Sequence, residues 1–304
     1  TAFNHDLNLS FDGANERMRY YVFANYTSNR GFFNNTDLND GYSTQVEMYA
    51  LKLRTNLEAN ISPTTMARMN LMGRLMQYQQ PTGGTSLANV YNTPVIAAPI
   101  YDRNGVWAKN QMFTNPLAVQ AANGYGQVLQ RTLFADLTIE QDLSMITKGL
   151  SAKVQGSWDT QSLFGEARYK MPELNEALKE RNPNGTLSFE KIADEKTVTY
   201  SSAAWVWRKL YLEANVNYDR TFGDHRLGGL LFYYIEDTSE TGADKSMNAI
   251  PKRYQSLSGR FTYGFKDTYF WDLNFGLNGS ENFEPGKQYG FFPAGAFAWV
   301  PSSY

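Results

Sequence analysis

Ser256-Leu257-Ser258-Gly259-Arg260-Phe261-Thr262-Tyr263-Gly264-Phe265 alternates strictly, and after Lys266-Asp267-Thr268 the alternation restarts in Tyr269-Phe270-Trp271-Asp272-Leu273-Asn274-Phe275-Gly276-Leu277-Asn278. Leu257, Phe261, Tyr263, Phe265, Tyr269, Trp271, Leu273, Phe275 and Leu277 fall on one face. Ser256, Ser258, Arg260, Thr262, Asp272, Asn274 and Asn278 fall on the other. Period-two alternation sends successive side chains to opposite sides of a sheet, so the stretch reads as an antiparallel hairpin. A soluble sandwich would bury the aromatic face against a second sheet. A membrane barrel would turn that face to lipid and keep the polar face on a wet lumen.

The same pattern recurs along the chain. Leu7, Leu9 and Phe11 lead through Gly13–Glu16 to Met18, Tyr20, Val22, Ala24 and Tyr26. Leu51, Leu53, Leu57, Ala59 and Ile61 lead through Ser62–Thr64 to Ala67, Met69, Leu71 and Leu75. Leu133, Ala135, Leu137 and Ile139 precede a turn near Lys148, followed by Leu150, Ala152, Val154 and Trp158. Leu210, Leu212, Ala214, Val216 and Tyr218 precede a turn near Gly223. In 226–236 the run Leu227-Gly228-Gly229-Leu230-Leu231 blurs the faces. The intervening connections, near 28–46, 80–128, 160–202 and 237–252, are long and polar. Short turns alternating with long loops are the mark of an up-and-down outer-membrane barrel. About ten strands and the start of another are expected. Within 160–202, Pro172 to Arg181 reads as a short helix with Leu174, Ala177 and Leu178 on one side, stopped by Asn182-Pro183-Asn184-Gly185.

Composition narrows the options. The 304 residues carry a net charge of -2 and no cysteine, so nothing points to nucleic acid, a disulfide scaffold or a cysteine metal site. His5 and His225 are the two histidines, too few for a histidine metal centre. Mean hydropathy of -0.49 fits a barrel in which only alternate strand residues face lipid. No apolar run is long enough for a transmembrane helix. Catalytic signatures are missing: there is no Gly-x-Ser-x-Gly elbow, His-Glu-x-x-His or phosphate loop. No enzyme activity, cofactor or metal is expected. Asp37-x-Asn39-Asp40-Gly41 lacks the bidentate glutamate of a calcium loop and reads as a plain turn.

Beyond the hairpin stand Gly279-Ser280-Glu281-Asn282-Phe283, then Pro285-Gly286-Lys287-Gln288-Tyr289-Gly290-Phe291-Phe292-Pro293-Ala294, then Trp299. This spacing resembles the SusC-like (RagA-like) TonB-dependent outer-membrane transporters of Bacteroidetes. That family commonly reads Asp-Gly-Ser-Ser-x-Phe, Pro-Gly-x-Arg-Tyr-Gly-x-Phe-Pro-Ser, then Trp. The matching residues are Gly279, Ser280, Phe283, Pro285, Gly286, Tyr289, Gly290, Phe292, Pro293 and Trp299. Gly276, Asn278, Glu281 and Gln288 depart from it.

The resemblance implies an all-β transmembrane barrel of about 22 strands, of which residues 1–304 are a part, without the plug and the remaining strands. It implies a multi-pass protein of the Bacteroidetes outer membrane, importing oligosaccharides or peptides. Its partners would be a SusD-like surface lipoprotein lid, the TonB-ExbB-ExbD complex acting through the plug, and membrane lipid. Lys52, Arg54, Arg68, Arg74, Lys153, Glu213 and Arg260 would line the lumen. Tyr91, Tyr101, Trp107, Phe113 and Tyr125 would meet substrate or lid. Trp205 and Trp207, near a strand's outer end, fit anchoring at the membrane edge. The alternatives are a structural or adhesive outer-membrane barrel without transport, and a soluble all-β binding module. Detergent phase partition separates the last from the first two: the protein is expected in the detergent phase, and recovery from buffer alone would exclude a barrel.

Overall fold

The computed structural model describes residues 2–33, 41–83, 87–96, 99–242 and 250–303. Fourteen strands are assigned along them. These are β1 (His5–Ala14), β2 (Met18–Arg30), β3 (Glu47–Ser62), β4 (Thr65–Pro81), β5 (Trp107–Lys109), β6 (Gly124–Asp142) and β7 (Leu150–Met171). They continue with β8 (Leu174–Arg181), β9 (Leu187–Ala193), β10 (Lys196–Phe222), β11 (His225–Thr241), β12 (Lys252–Phe265), β13 (Tyr269–Ser280) and β14 (Tyr289–Trp299). Two short helices, α1 (Leu87–Asn92) and α2 (Pro116–Ala122), lie between β4 and β6. Eleven strands form one antiparallel sheet in the order β1-β2-β3-β4-β6-β7-β10-β11-β12-β13-β14. Each strand therefore lies beside the next strand of the meander, as the alternating turns require.

Register carries the apolar face across the whole sheet. One row runs Val22–Thr55–Leu71–Ala135–Trp158–Leu210 across β2, β3, β4, β6, β7 and β10. Another runs Val216–Leu231–Gly259–Phe275–Pro293 across β10 to β14. The apolar positions extend from Leu210 to Tyr218 in β10 and from Leu257 to Phe265 in β12. A tilted strand crosses a bilayer in about 9–11 residues, and these bands have that height. The structure also settles 226–236. Leu227, Gly229, Leu231, Tyr233 and Ile235 join the apolar face, while Leu230, Phe232 and Tyr234 oppose Arg260, Ser258 and Ser256 on the polar face.

Burial is inverted relative to a water-soluble protein. Among the described residues the buried hydrophobic side chains are Ala50, Ala108, Ala118, Ala121 and Ala122, all alanines. Leu210 is 59% exposed and Leu273 54% exposed, while Glu213, on the polar face, is 8% exposed. Thr138, Asn215 and Ser256 on that polar face are buried too. A chain of this size in water would enclose large aliphatic side chains in a core. Here the apolar side faces outward and the polar side is the crowded one, as in a barrel wall.

The short turns all lie at one end of the sheet. Asn15 Oδ1 accepts from the amides of Arg17 and Met18, both at 2.8 Å. Lys266 and Asp267 adopt left-handed φ values of 54° and 50° to close β12 onto β13. Gly149 has φ +87°, and a Cβ there would stand 2.0 Å from the Asp219 carbonyl oxygen of β10. At this end the apolar face carries two aromatic rows. One is Tyr263–Trp271–Phe297 and the other is Phe265–Tyr269–Trp299, with His225 and Phe222 continuing the second. Ring centroids are 5.4 Å apart for Tyr263–Trp271 and 5.2 Å for Trp271–Phe297. Amphipathic rings at this height form an interfacial girdle.

Two expectations are corrected. Leu174–Arg181 is strand β8, not a helix. A spacing of Leu174, Ala177 and Leu178 fits a helix turn, but pairing decides otherwise: β8 lies between β5 and β9 in a three-stranded sheet. Asn182–Gly185 then closes a hairpin, with Gly185 N donating to Asn182 O at 2.8 Å. The loops expected at 80–128 and 160–202 are also shorter than drawn. β6 begins at Gly124, β7 extends to Met171 and β10 begins at Lys196. Spin labels at Leu53, Leu137 and Trp271 in the membrane-inserted protein should collide with bilayer-dissolved oxygen and be shielded from aqueous quenchers. The opposite accessibility would reverse the faces.

Candidate functional site: the lumen wall and the long-loop end

The seven expected lumen residues all lie at polar-face positions. Arg68 of β4 reaches Glu58 of β3 at 3.3 Å and Glu140 of β6 at 3.4 Å. Arg19 of β2 extends the chain to Glu58 at 3.5 Å. Lys153 of β7 meets Glu213 of β10 at 2.5 Å, and the Tyr211 hydroxyl donates to the same carboxylate at 2.7 Å. Arg260 forks onto Asp272 at 2.5 and 3.1 Å. These charges satisfy one another sideways along the wall.

Lys52, Arg54 and Arg74 do not. Lys52 stands directly opposite Arg74 in the β3–β4 register. Arg74 donates to the Met76 sulfur at 3.1 Å and Arg54 to the Asn56 oxygen at 3.3 Å. None of the three meets a carboxylate among the described residues. Like charges facing each other across a ladder repel, so this patch presents unsatisfied positive charge to the lumen. Nearer the short-turn end, a concavity of about 590 Å³ is lined mostly by residues able to hydrogen bond, among them Asn60, Ser62, Thr65, Glu140, Lys153 and Asn215.

An aromatic strip runs up the same wall. Phe232 and Tyr234 have ring centroids 5.8 Å apart, and Tyr234 and Tyr211 stack at 5.7 Å. Trp207 and Trp205 continue it towards the long-loop end on the parity of Tyr211 and Glu213. This corrects the anchoring expected of the two tryptophans: they share the polar face, and Trp205 Nε1 donates to Glu240 at 2.5 Å. The blurred run at 227–231 hid Phe232 and Tyr234 from sequence reading.

At the long-loop end, two connections are joined. β5, from the connection 82–123, pairs in parallel with β8, from the connection 172–195, by Trp107↔Leu174, Ala108↔Asn175 and Lys109↔Glu176. Asn175 Nδ2 donates to Asp102 at 2.8 Å, and Lys109 meets Glu176 at 3.6 Å. Asn115 caps α2 through its side-chain oxygen, and its amide donates to the Ile100 and Ala108 carbonyls, both at 2.8 Å. Ala118, Ala121 and Ala122 are buried there.

The loop aromatics are split among several places. Tyr101 packs on Trp107 at 4.6 Å inside this platform. Tyr125 belongs to β6, with Tyr42 at 5.6 Å on one side and the Arg168 guanidinium at 5.4 Å. Phe113 is half-buried, its amide held by Asn110 at 2.6 Å. Tyr91 stands exposed on α1. The Asp37–Asp40 turn lies outside the described residues. Among those described, no cluster of His, Asp or Glu could hold a metal ion.

The motif residues shape the β13–β14 hairpin. The Tyr289 ring covers Gly279, where a Cβ would come within 2.6 Å of it, and the Tyr289 hydroxyl meets the Gln255 amide. Gly286 takes φ +88° in the loop, and Ser280 N donates to Gln288 O at 3.0 Å. Phe292 lies on the lumen face opposite Gly276, whereas Pro293 and Trp299 face outward opposite Phe275 and Tyr269.

The chain is similar in sequence to TonB-dependent receptor P3 of Formosa agariphila, at 21% identity over 96% of the chain and 30% of that relative. In structure it superposes on the RagAB peptide transporter with TM-score 0.62 and 14% identity, over 97% of this chain and 34% of that one. The fold is that of a TonB-dependent barrel, in part. A second RagAB structure, the importer in its open-open state, gives TM-score 0.61 at 15% identity over 94% and 32% of the two chains. No family model matches. The chain thus spans about a third of the length of these relatives. The resemblance carried by residues 254–299 is borne out, and the relatives are a receptor and transporters by name, not enzymes. The eleven-stranded sheet is a segment of an outer-membrane barrel wall.

Asp102 gives the platform a pH dependence. Burial works against its charge, but hydrogen bonds from the Val106 amide, the Asn175 side chain and the Asn104 amide outweigh that, holding its carboxyl below the usual carboxylate value. A depressed folded value stabilises the platform at neutral pH, and that contribution disappears as pH falls through the depressed value. Cleavage of 172–195 by an acid-active protease should stay slow down to about pH 4 and accelerate below it. In Asp102→Ala it should already be fast at neutral pH.

Proposed function

We propose that this chain is part of the barrel of a longer outer-membrane nutrient importer. The observation that carries this is the inverted polarity of the sheet combined with long connections gathered at one end. Sheet edges β1 and β14 pair with no other described strand, and unpaired backbone groups in lipid cost several kcal/mol each. Further strands of the same protein would close the barrel to the ~22 strands of large transporters.

Within that barrel a plug domain would take the wet lumen, coupled to the TonB-ExbB-ExbD complex. The Lys52–Arg54–Arg74 patch and the concavity at Lys153 and Asn215 are polar surfaces suited to gripping it. The joined loops at the other end would form the seat of a SusD-like surface lipoprotein and the first contact for substrate. Tyr101 and Trp107 within that seat, and Tyr91, exposed on α1, are the residues proposed to meet lid or cargo. The cargo would be oligosaccharides or peptides. Nothing in the wall performs bond chemistry; its residues steer, hold and release.

In the parent organism, deleting residues 85–120 should reduce uptake of the labelled nutrient by at least about tenfold and release the lipoprotein from pull-downs, while the barrel still inserts. A protonophore should abolish uptake in the unmodified strain. Normal uptake in the deletion strain would reject the loop assignment, and uptake insensitive to the protonophore would reject TonB coupling.

A further inference from the structure

The outward face turns polar just above its apolar band, and the charges there fall into two groups. Most are paired: Arg30 with Glu47 at 3.1 Å, Arg168 with Glu166 at 2.9 Å, and Arg253 with Asp237 at 2.6 Å. Arg131 and Arg208 are not. Arg208 donates to the Ser239 hydroxyl at 2.8 Å and meets no carboxylate among the described residues. The Arg131 side chain has neither an ion pair nor a hydrogen bond among them.

Their surroundings are lipid-facing. Arg131 sits opposite Leu75 on β4 and Ser162 on β7, with Leu129 and Leu133 before and after it on its own face. Arg208 sits opposite Thr160 on β7 and precedes Leu210 on its face. Trp158 and Leu210, directly below, are 51% and 59% exposed. On strand spacing and rise the two arginine Cα atoms are about 12 Å apart, so their long side chains can converge over Thr160 and Ser162. Two uncompensated guanidinium groups on this face need an anion, and an anion at this height must sit above acyl chains.

We propose that Arg131 and Arg208, with the hydroxyl of Ser162 between them, bind the phosphate of a phosphorylated glycolipid in the outer leaflet. Thr160 Oγ already donates to the Trp207 carbonyl at 3.1 Å, so it offers the phosphate no proton. The guanidinium groups supply charge-assisted hydrogen bonds. Leu75, Leu133, Trp158 and Leu210 take the acyl chains, and Gln77 and Gln127 lie above for sugar hydroxyls. Acidic side chains at the same height do not compete, because Glu166 is engaged by Arg168 and the Tyr200 hydroxyl, and Asp237 by Arg253. The site depends on the outward face meeting lipid and not on what the barrel imports.

The test uses the full-length parent protein in detergent, titrated with a phosphorylated lipid A and with its dephosphorylated counterpart, and read by native mass spectrometry. The unmodified protein should retain the phosphorylated lipid about thirtyfold more tightly, the expected effect of two arginines at a membrane surface. The Arg131→Gln/Arg208→Gln variant, with its fold checked by heat-shifted electrophoretic migration, should lose that preference. The Arg131→Lys/Arg208→Lys variant should keep part of it. Inorganic phosphate at the same concentration should not displace the lipid. Equal retention of the two lipids by the unmodified protein would overturn the proposal without reference to any variant. An unchanged preference in the glutamine variant, or displacement by inorganic phosphate, would overturn it as well.

Discussion

Backbone hydrogen bonding in a solvent without water governs this structure. Inside a bilayer no N–H or C=O can be left to the surroundings, so each strand must lie beside another along its whole crossing. The meander meets that demand with the smallest rearrangement, since each strand pairs with the next one in the wall. The close approach of Gly149 to the Asp219 carbonyl and the left-handed pair Lys266–Asp267 are local costs of turning tightly enough to keep pairing continuous.

Once the backbone is satisfied internally, side chains sort by medium. The outward face contributes little packing energy within the chain, because its neighbours are acyl chains and not a protein core. The wet face is correspondingly elaborate. Its ion pairs, such as Arg68 between Glu58 and Glu140, are partly exposed, and pairs of that kind contribute about 0–1 kcal/mol each. Their value lies in fixing the position of charge along the wall. Pairing stops at Lys52 and Arg74 inside and at Arg131 and Arg208 outside, so these are the positions where the wall leaves positive charge uncompensated among the described residues.

Much of this was legible in the residues. Strict alternation at 256–277 and 49–61 gave strand, face and turn together, because a period of two has no helical equivalent. The limits of legibility were physical. Leu227 to Leu231 carries two adjacent glycines and apolar residues on both faces, so only the pairing with β12 assigns it. Leu174, Ala177 and Leu178 satisfy a helix spacing, and it is overruled by pairing with β9 across the Asn182–Gly185 turn and with β5, which lies far away in the chain. Trp205 and Trp207 lie near a strand's outer end, as expected, but the register of β10 with β7 and β11 carries the parity of Tyr211 and Glu213 up to them and puts them on the polar face instead of the membrane side. The aromatic strip from Phe232 to Trp205 arises from two strands and is invisible in either alone.

The parallel pairing of β5 with β8 ties together two insertions that are separated in the chain by β6 and β7. Such segments cannot diversify independently. A change of length in either one that displaced Trp107 or Leu174 would leave the other without its ladder, so the two must be exchanged or remodelled as a cassette. Any motion of this cap is likewise shared, with one body hinging on the ends of four strands where two separate flaps would otherwise move.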